Sequence, residues 1–147
     1  MKSESVTYRF GKIVDEIKTP IKITNPLNGE STITFALWDT GATDCAITES
    51  LVKRLNLPIF SKAKVIGVHG IKQVNVHFIE FKLDNENIKL KTQVTSCSEL
   101  SEDGTIGFLI GMNLITQGDL VLSNYSNETV MSFRIPSKEI LDFNISL

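Results

Sequence analysis

Asp39 is the residue of this sequence best placed to do chemistry. It heads the run Asp39-Thr40-Gly41-Ala42, directly after the apolar stretch Phe35-Ala36-Leu37-Trp38 and shortly before Ala46-Ile47-Thr48. A carboxylate at the tip of a loop leaving a buried strand can take or give a proton. Each neighbour then has a physical use. The Thr40 hydroxyl can tie the loop to another backbone, Gly41 permits close approach of a second chain, and Ala42 keeps the adjoining wall small. Asp44 either lies free in solvent or faces a substrate groove beyond Ala42. Ordinary turns also use Asp, Thr and Gly, so the motif needs support from elsewhere in the chain.

Two other segments supply it. Phe108-Leu109-Ile110-Gly111 is an apolar strand closed by a glycine, with Met112-Asn113-Leu114-Ile115 behind it as the start of a short helix. Val65-Ile66-Gly67-Val68-His69-Gly70-Ile71 reads as two strands joined at a glycine-bearing tip, either a plain hairpin or a lid that opens and shuts. The remaining reactive residues form no comparable set. Cys45, His69, His77 and Cys97 lack the paired spacing of zinc ligands. Cys45 has no spacing to a histidine that would mark a nucleophile and its base. His77, between Val76 and Phe78, reads as an outer-face residue of a strand. Asp103-Gly104-Thr105 has the right residue types in the wrong order.

The elements that must position Asp39 are mostly strands. Short stretches of apolar alternation separated by Asn, Asp, Gly and Pro clusters predict an all-β domain with strands over 7–14, 20–24, 31–38, 63–67, 71–83, 88–95, 105–110, 120–124 and 129–135. Within 71–83 the apolar face switches from Val74, Val76 and Phe78 to Ile79, Phe81 and Leu83, which predicts a bulge or a strand passing between two layers. Helix is expected only over 48–55, with Thr48 as N-cap and a stop at Asn56 and Pro58, and over 112–116. Trp38 is expected in the core or an interface.

Asp-Thr-Gly-Ala at 39–42, followed by the lid-like segment at 67–70 and then the apolar strand ending in Ile110-Gly111 before a helix, resembles the single-lobe aspartic proteases of the retropepsin group and their bacterial and retrotransposon-type relatives. The resemblance covers roughly 34–135. It implies a closed, barrel-like acid-protease fold in which Asp39 is catalytic and Thr40, Gly41 and Ala42 support the active-site loop. It also implies that Gly67, Val68, His69 and Gly70 form a flap over bound peptide, and that Ile110 and Gly111 pack behind the loop. Met112 stands where several viral members carry Arg, so a viral-type ion-pair network behind the site is not carried over. On this reading 1–147 is one domain, with N-terminal strands in 7–30 and a tail over 137–147 as extensions.

The family chemistry implied uses two aspartates that share a proton and activate a water, with no covalent intermediate. No second Asp-Thr-Gly or Asp-Ser-Gly occurs in the chain, and one domain of this size is about half of a two-lobed enzyme. The second carboxylate is therefore expected from another copy in a twofold homodimer. The alternative is a silent dimerisation or peptide-binding module that keeps the fold without turnover.

Composition fits that picture and narrows the partners. The chain has 147 residues, 41% of them apolar, enough for one core without staples. Its net charge of −2 has no basic block behind it, so nucleic acid and anionic membrane are not expected as partners, and neither metal nor cofactor is. The polar start Met1-Lys2-Ser3-Glu4-Ser5 is read as lacking an export signal, which predicts a cytoplasmic protein with free thiols. The expected partners are a peptide or protein substrate and a second copy.

Overall fold

In a computed structural model, residues 4–145 are described; Met1-Lys2-Ser3 and the last two residues of the 137–147 tail lie outside them. Period-two burial sets most of the strands. In β2 (Lys18–Thr24) Thr19, Ile21 and Ile23 point inward, and in β3 (Ser31–Trp38) Thr32, Ala36 and Trp38 do. The chain continues through β4 (Ala46–Thr48), helix α1 (Glu49–Arg54), β5 (Ser61–Gly67), β6 (Gly70–Lys82), β7 (Lys89–Cys97), β8 (Ile106–Ile110), helix α2 (Met112–Ile115), β9 (Asp119–Ser123) and β10 (Val130–Ile135). A first strand, β1 (Glu4–Arg9), precedes them.

Six of these strands close on themselves in the order β2-β3-β8-β4-β7-β6, and the ring is completed where β2 pairs with β6 through Ile23 and Phe81. Closure removes sheet edges. It encloses Ile21, Ile23, Ile47, Ile79, Phe81, Val94, Phe108 and Ile110 in one core. β5 hangs from β6 outside the ring, and β1, β10 and β9 form a separate three-stranded sheet. Trp38 joins the two: its ring meets Phe133 of β10 edge-on at 5.1 Å, and its indole N–H donates to the Thr19 hydroxyl at 2.9 Å.

The all-β barrel with two short helices agrees with the fold read from sequence. Thr48 caps α1, its hydroxyl accepting from the Leu51 N–H, and the buried Asn25 amide donates to the Leu55 and Asn56 carbonyls at the other end. Four features differ. The strand expected over 7–14 is β1, Glu4–Arg9, and 10–14 lie outside any strand. β4 was not expected; it is three residues long and is held by β7 on one side and β8 on the other. β2, read as an N-terminal addition, is a stave of the barrel, while β1 joins the sheet built from β9 and β10. His77, expected on the outer face, is 1% exposed.

β6 explains that last difference. Its first half pairs only with β5, and its second half pairs with β7 and β2, with no register shift along it. The face switch seen in the sequence therefore marks a strand passing from a free hairpin into the barrel wall. Both Val76 and His77 are buried at that junction, and the His77 Nδ1 lies 2.8 Å from the Pro58 carbonyl.

Candidate active site

Strand β3 runs parallel to β8, with Trp38 beside Ile110. Asp39 follows immediately, and its N–H donates to the Ile110 carbonyl at 2.9 Å. The loop it opens is then fastened to the segment after β8. Met112 N–H donates to the Ala42 carbonyl at 2.8 Å and Asn113 N–H to the Thr43 carbonyl at 2.9 Å. The Asn113 side-chain oxygen accepts from the Cys45 N–H and from its thiol, each at 3.2 Å. Loop and strand end thus form one hydrogen-bonded unit in which the backbone of Asp39 has little freedom.

The carboxylate is oriented from within the loop. Asp39 Oδ1 accepts the Gly41 N–H at 2.8 Å, and a β-carbon at Gly41 would stand 3.1 Å from that same oxygen. Asp39 is half-buried, while Thr40, Gly41 and Asp44 are exposed and Ala42 is half-buried. Gly111 lies under the loop with no room for a side chain. The structure therefore brings Asp39, Thr40, Gly41, Ala42, Ile110 and Gly111 into one cluster. Met112 packs partly buried against the core, giving the loop an apolar support.

Gly67, Val68, His69 and Gly70 form the turn between β5 and β6. Gly67 pairs with Gly70, and Gly70 takes φ +105°, a conformation that favours glycine. Val68 at the tip is 99% exposed. The hairpin stands clear of the barrel on an edge strand.

The alternative chemistries gain nothing from the geometry. Cys45 is buried and bonded to Asn113, and burial pushes its thiol up from the ordinary range. Burial, then the charges of Glu49 and Glu99, raise Cys97 to about 11. A nucleophilic cysteine needs the opposite shift. His77 is occupied by Pro58, and no group of three metal-ligating side chains occurs among the described residues. Asp103 accepts from the N–H and hydroxyl of Thr105, an ordinary exposed turn. Asn113 was not singled out from the sequence. Its only signal there is an amide in the first turn after Gly111, where the dangling end of a nearby loop needs an acceptor.

No curated protein matches the sequence. Among solved structures, the fold is similar to a retropepsin-like aspartic protease from Rickettsia conorii, at TM-score 0.54 and 12% identity, covering 91% of this chain and 96% of that one. It is also similar to the EIAV protease complexed with the inhibitor HBY-793, at TM-score 0.51 and 18% identity over 69% of this chain and 86% of that one. The retroviral protease-like domain of Ddi1 from Leishmania major gives TM-score 0.50 and 12% identity over 74% and 82%. At such identities the likeness speaks for the fold alone. The family model described as gag-polyprotein putative aspartyl protease matches residues 23–117, well over half of the chain, and the chain belongs to that family.

Proposed function

We propose that this chain is an aspartic endopeptidase that acts as a homodimer, Asp39 of each copy supplying one of the two carboxylates that activate water against a peptide bond. The observation that carries this reading is the fixation of Asp39. Its backbone is bonded to Ile110, its carboxylate to the Gly41 N–H, and its loop to Met112 and Asn113. A turn that served only to reverse the chain would have no use for so many constraints on one half-buried acid.

Two such carboxylates meeting at a twofold axis cannot both ionise cheaply, so the pair holds one proton between them. The ionised member draws a proton from the bound water as it attacks the scissile carbonyl. The protonated member gives its proton to the carbonyl oxygen, and the departing nitrogen is protonated in turn. The Gly41 N–H, bonded to one carboxylate oxygen, leaves the other free for the water. The exposed Thr40 hydroxyl ties the loop to its counterpart in the second copy. Ala42 and Asp44 border the groove, and the Gly67-Val68-His69-Gly70 turn closes over the peptide. Among the described residues β5 has one free edge, which suits backbone pairing with an extended substrate.

The direct test is Asp39→Asn, which removes the ionisable group with little change of shape. The variant is expected to remain folded and dimeric, as read by thermal unfolding and sedimentation, and to cut no peptide that the parent cuts between about pH 4 and 7. Retained cleavage would sink the mechanism; a dimeric parent that cuts nothing would favour the silent binding module.

A further inference from the structure

The hairpin over 61–76 carries Lys62, Lys64 and Lys72 and no acidic residue, although the chain as a whole is net negative. Among the described residues none of these lysines is in a salt bridge, which they share with Lys12, Lys22, Lys53, Lys91 and Lys138; Lys18, Lys82 and Lys89 each pair with a glutamate. The strand register sorts them by face. In the barrel part of β6, His77, Ile79 and Phe81 are buried on one side, and two-residue alternation carries that side outward through Asn75, Gln73 and Ile71. Their partners on β5 are Lys62, Lys64 and Ile66. This face is therefore apolar at the tip, where Ile66 meets Ile71, and cationic behind it, at Lys64 beside Gln73 and Lys62 beside Asn75. All of these are exposed except the half-buried Asn75. The opposite face is covered only near the barrel, where Ala63 and Val74 are half-buried and Val76 is buried, and it carries the paired Val65 and Lys72 exposed toward the tip.

We infer, resting on the protease reading above, that the Ile66/Lys64/Lys62 face is the roof of the peptide groove and makes the site selective for extended peptides with acidic side chains on one flank of an apolar centre. An extended peptide repeats its side chains at the same spacing as a strand. A residue seated against Ile66 and Ile71 thus places the residues two and four positions away opposite Lys64 and Lys62. A carboxylate there meets an unpaired ammonium, while a lysine meets like charge. The competing explanation is that the lysines only keep an exposed edge strand from pairing with other sheets. That explanation predicts no preference among peptides.

The experiment uses the intact chain and octapeptides with a Leu-Phe centre whose flank carries two Glu, two Gln or two Lys, in hydrolysable form and with the central amide reduced. Binding of the reduced-amide forms is read by fluorescence anisotropy. The Glu peptide is expected to bind roughly threefold to thirtyfold tighter than the Gln peptide at low salt. The gap closes in about 0.5 M salt and in Lys62→Gln/Lys64→Gln. It persists in Lys12→Gln/Lys53→Gln, which removes the same charge elsewhere. Equal binding of Glu and Gln peptides, a gap that survives Lys62→Gln/Lys64→Gln, or no binding of any peptide overturns the inference. Cleavage of the hydrolysable set separates the two claims. Turnover without acidic preference overturns the flap assignment and leaves the protease standing, whereas acid-selective binding without turnover does the reverse.

Discussion

Gly111 lies so close beneath the Asp39 loop that a β-carbon built on it would stand 2.5 Å from the Asp44 carbonyl oxygen and 3.0 Å from that of Ala42. Both obstacles are backbone, and both belong to the loop that Met112 and Asn113 fasten. Space and hydrogen bonding thus fix the same loop.

Gly111→Ala therefore cannot be absorbed by a side-chain rotation. The loop or the strand end must move, at a cost of about 1–3 kcal/mol for an overpacked site. The expected outcome is a modest loss in thermal stability with a much larger loss of peptide cleavage, because a small displacement of a catalytic group is costly. Unfolding and cleavage assays on the same preparation check it; unchanged cleavage would detach Gly111 from the site.

Cys45 lies just behind the loop, yet its thiol is buried, raised by burial, and donates to Asn113. Cys45→Ala should keep most of the cleavage activity. Alkylation of Cys45 in the native protein should be slow and should speed up in Asn113→Ala, which leaves the Cys45 N–H without its acceptor and costs about 1–3 kcal/mol. Timed alkylation with mass mapping reads both. Rapid labelling of native Cys45 accompanied by loss of activity would revive a thiol mechanism.

Asp119 ties the C-terminal segment to the β1-β10-β9 sheet. It accepts from the Ser137 hydroxyl at 2.6 Å, the Lys138 N–H at 2.8 Å and Arg134 at 2.7 Å. These bonds, the Ser137 hydroxyl first, lower its pKa from 3.8 to about 2. Because the folded value is the lower one, the stabilisation is present above the unfolded pKa and is lost as pH falls from near 4 through 2. The stability gap between the parent and Asp119→Asn should be constant at pH 5 and above and shrink toward pH 2. Denaturant unfolding across that range tests it, and a gap that does not narrow would contradict the assignment.

Much of the barrel was legible because half-buried strands must alternate. β2 shows this best, since Ile21 and Ile23 point inward while Lys22 between them is exposed. In β3 the alternation misleads, because Ile33 and Phe35 are exposed and Thr32, Ala36 and Trp38 are buried. β4 was not legible: three residues cannot display a period, and Ala46–Thr48 owe their conformation to β7 and β8 on either side. His77 was misplaced because β6 belongs to two environments, and alternation carried in from the hairpin half assigns the wrong side at the junction. The fit of Gly111 under Asp44 is likewise beyond a linear reading. The glycine is visible in the sequence, but the backbone it must clear is more than sixty residues away.

The central claim is that Asp39 is half of a site, and a mixing experiment tests it most directly. Parent and Asp39→Asn chains are unfolded together, refolded at constant total concentration and assayed for cleavage as the parent fraction is varied. If each active unit needs two Asp39 carboxylates, activity follows the square of the parent fraction, so a half-and-half mixture gives about one quarter of full activity. Activity proportional to the parent fraction, with the half-and-half mixture at about one half, would mean that one Asp39 suffices and would contradict the account.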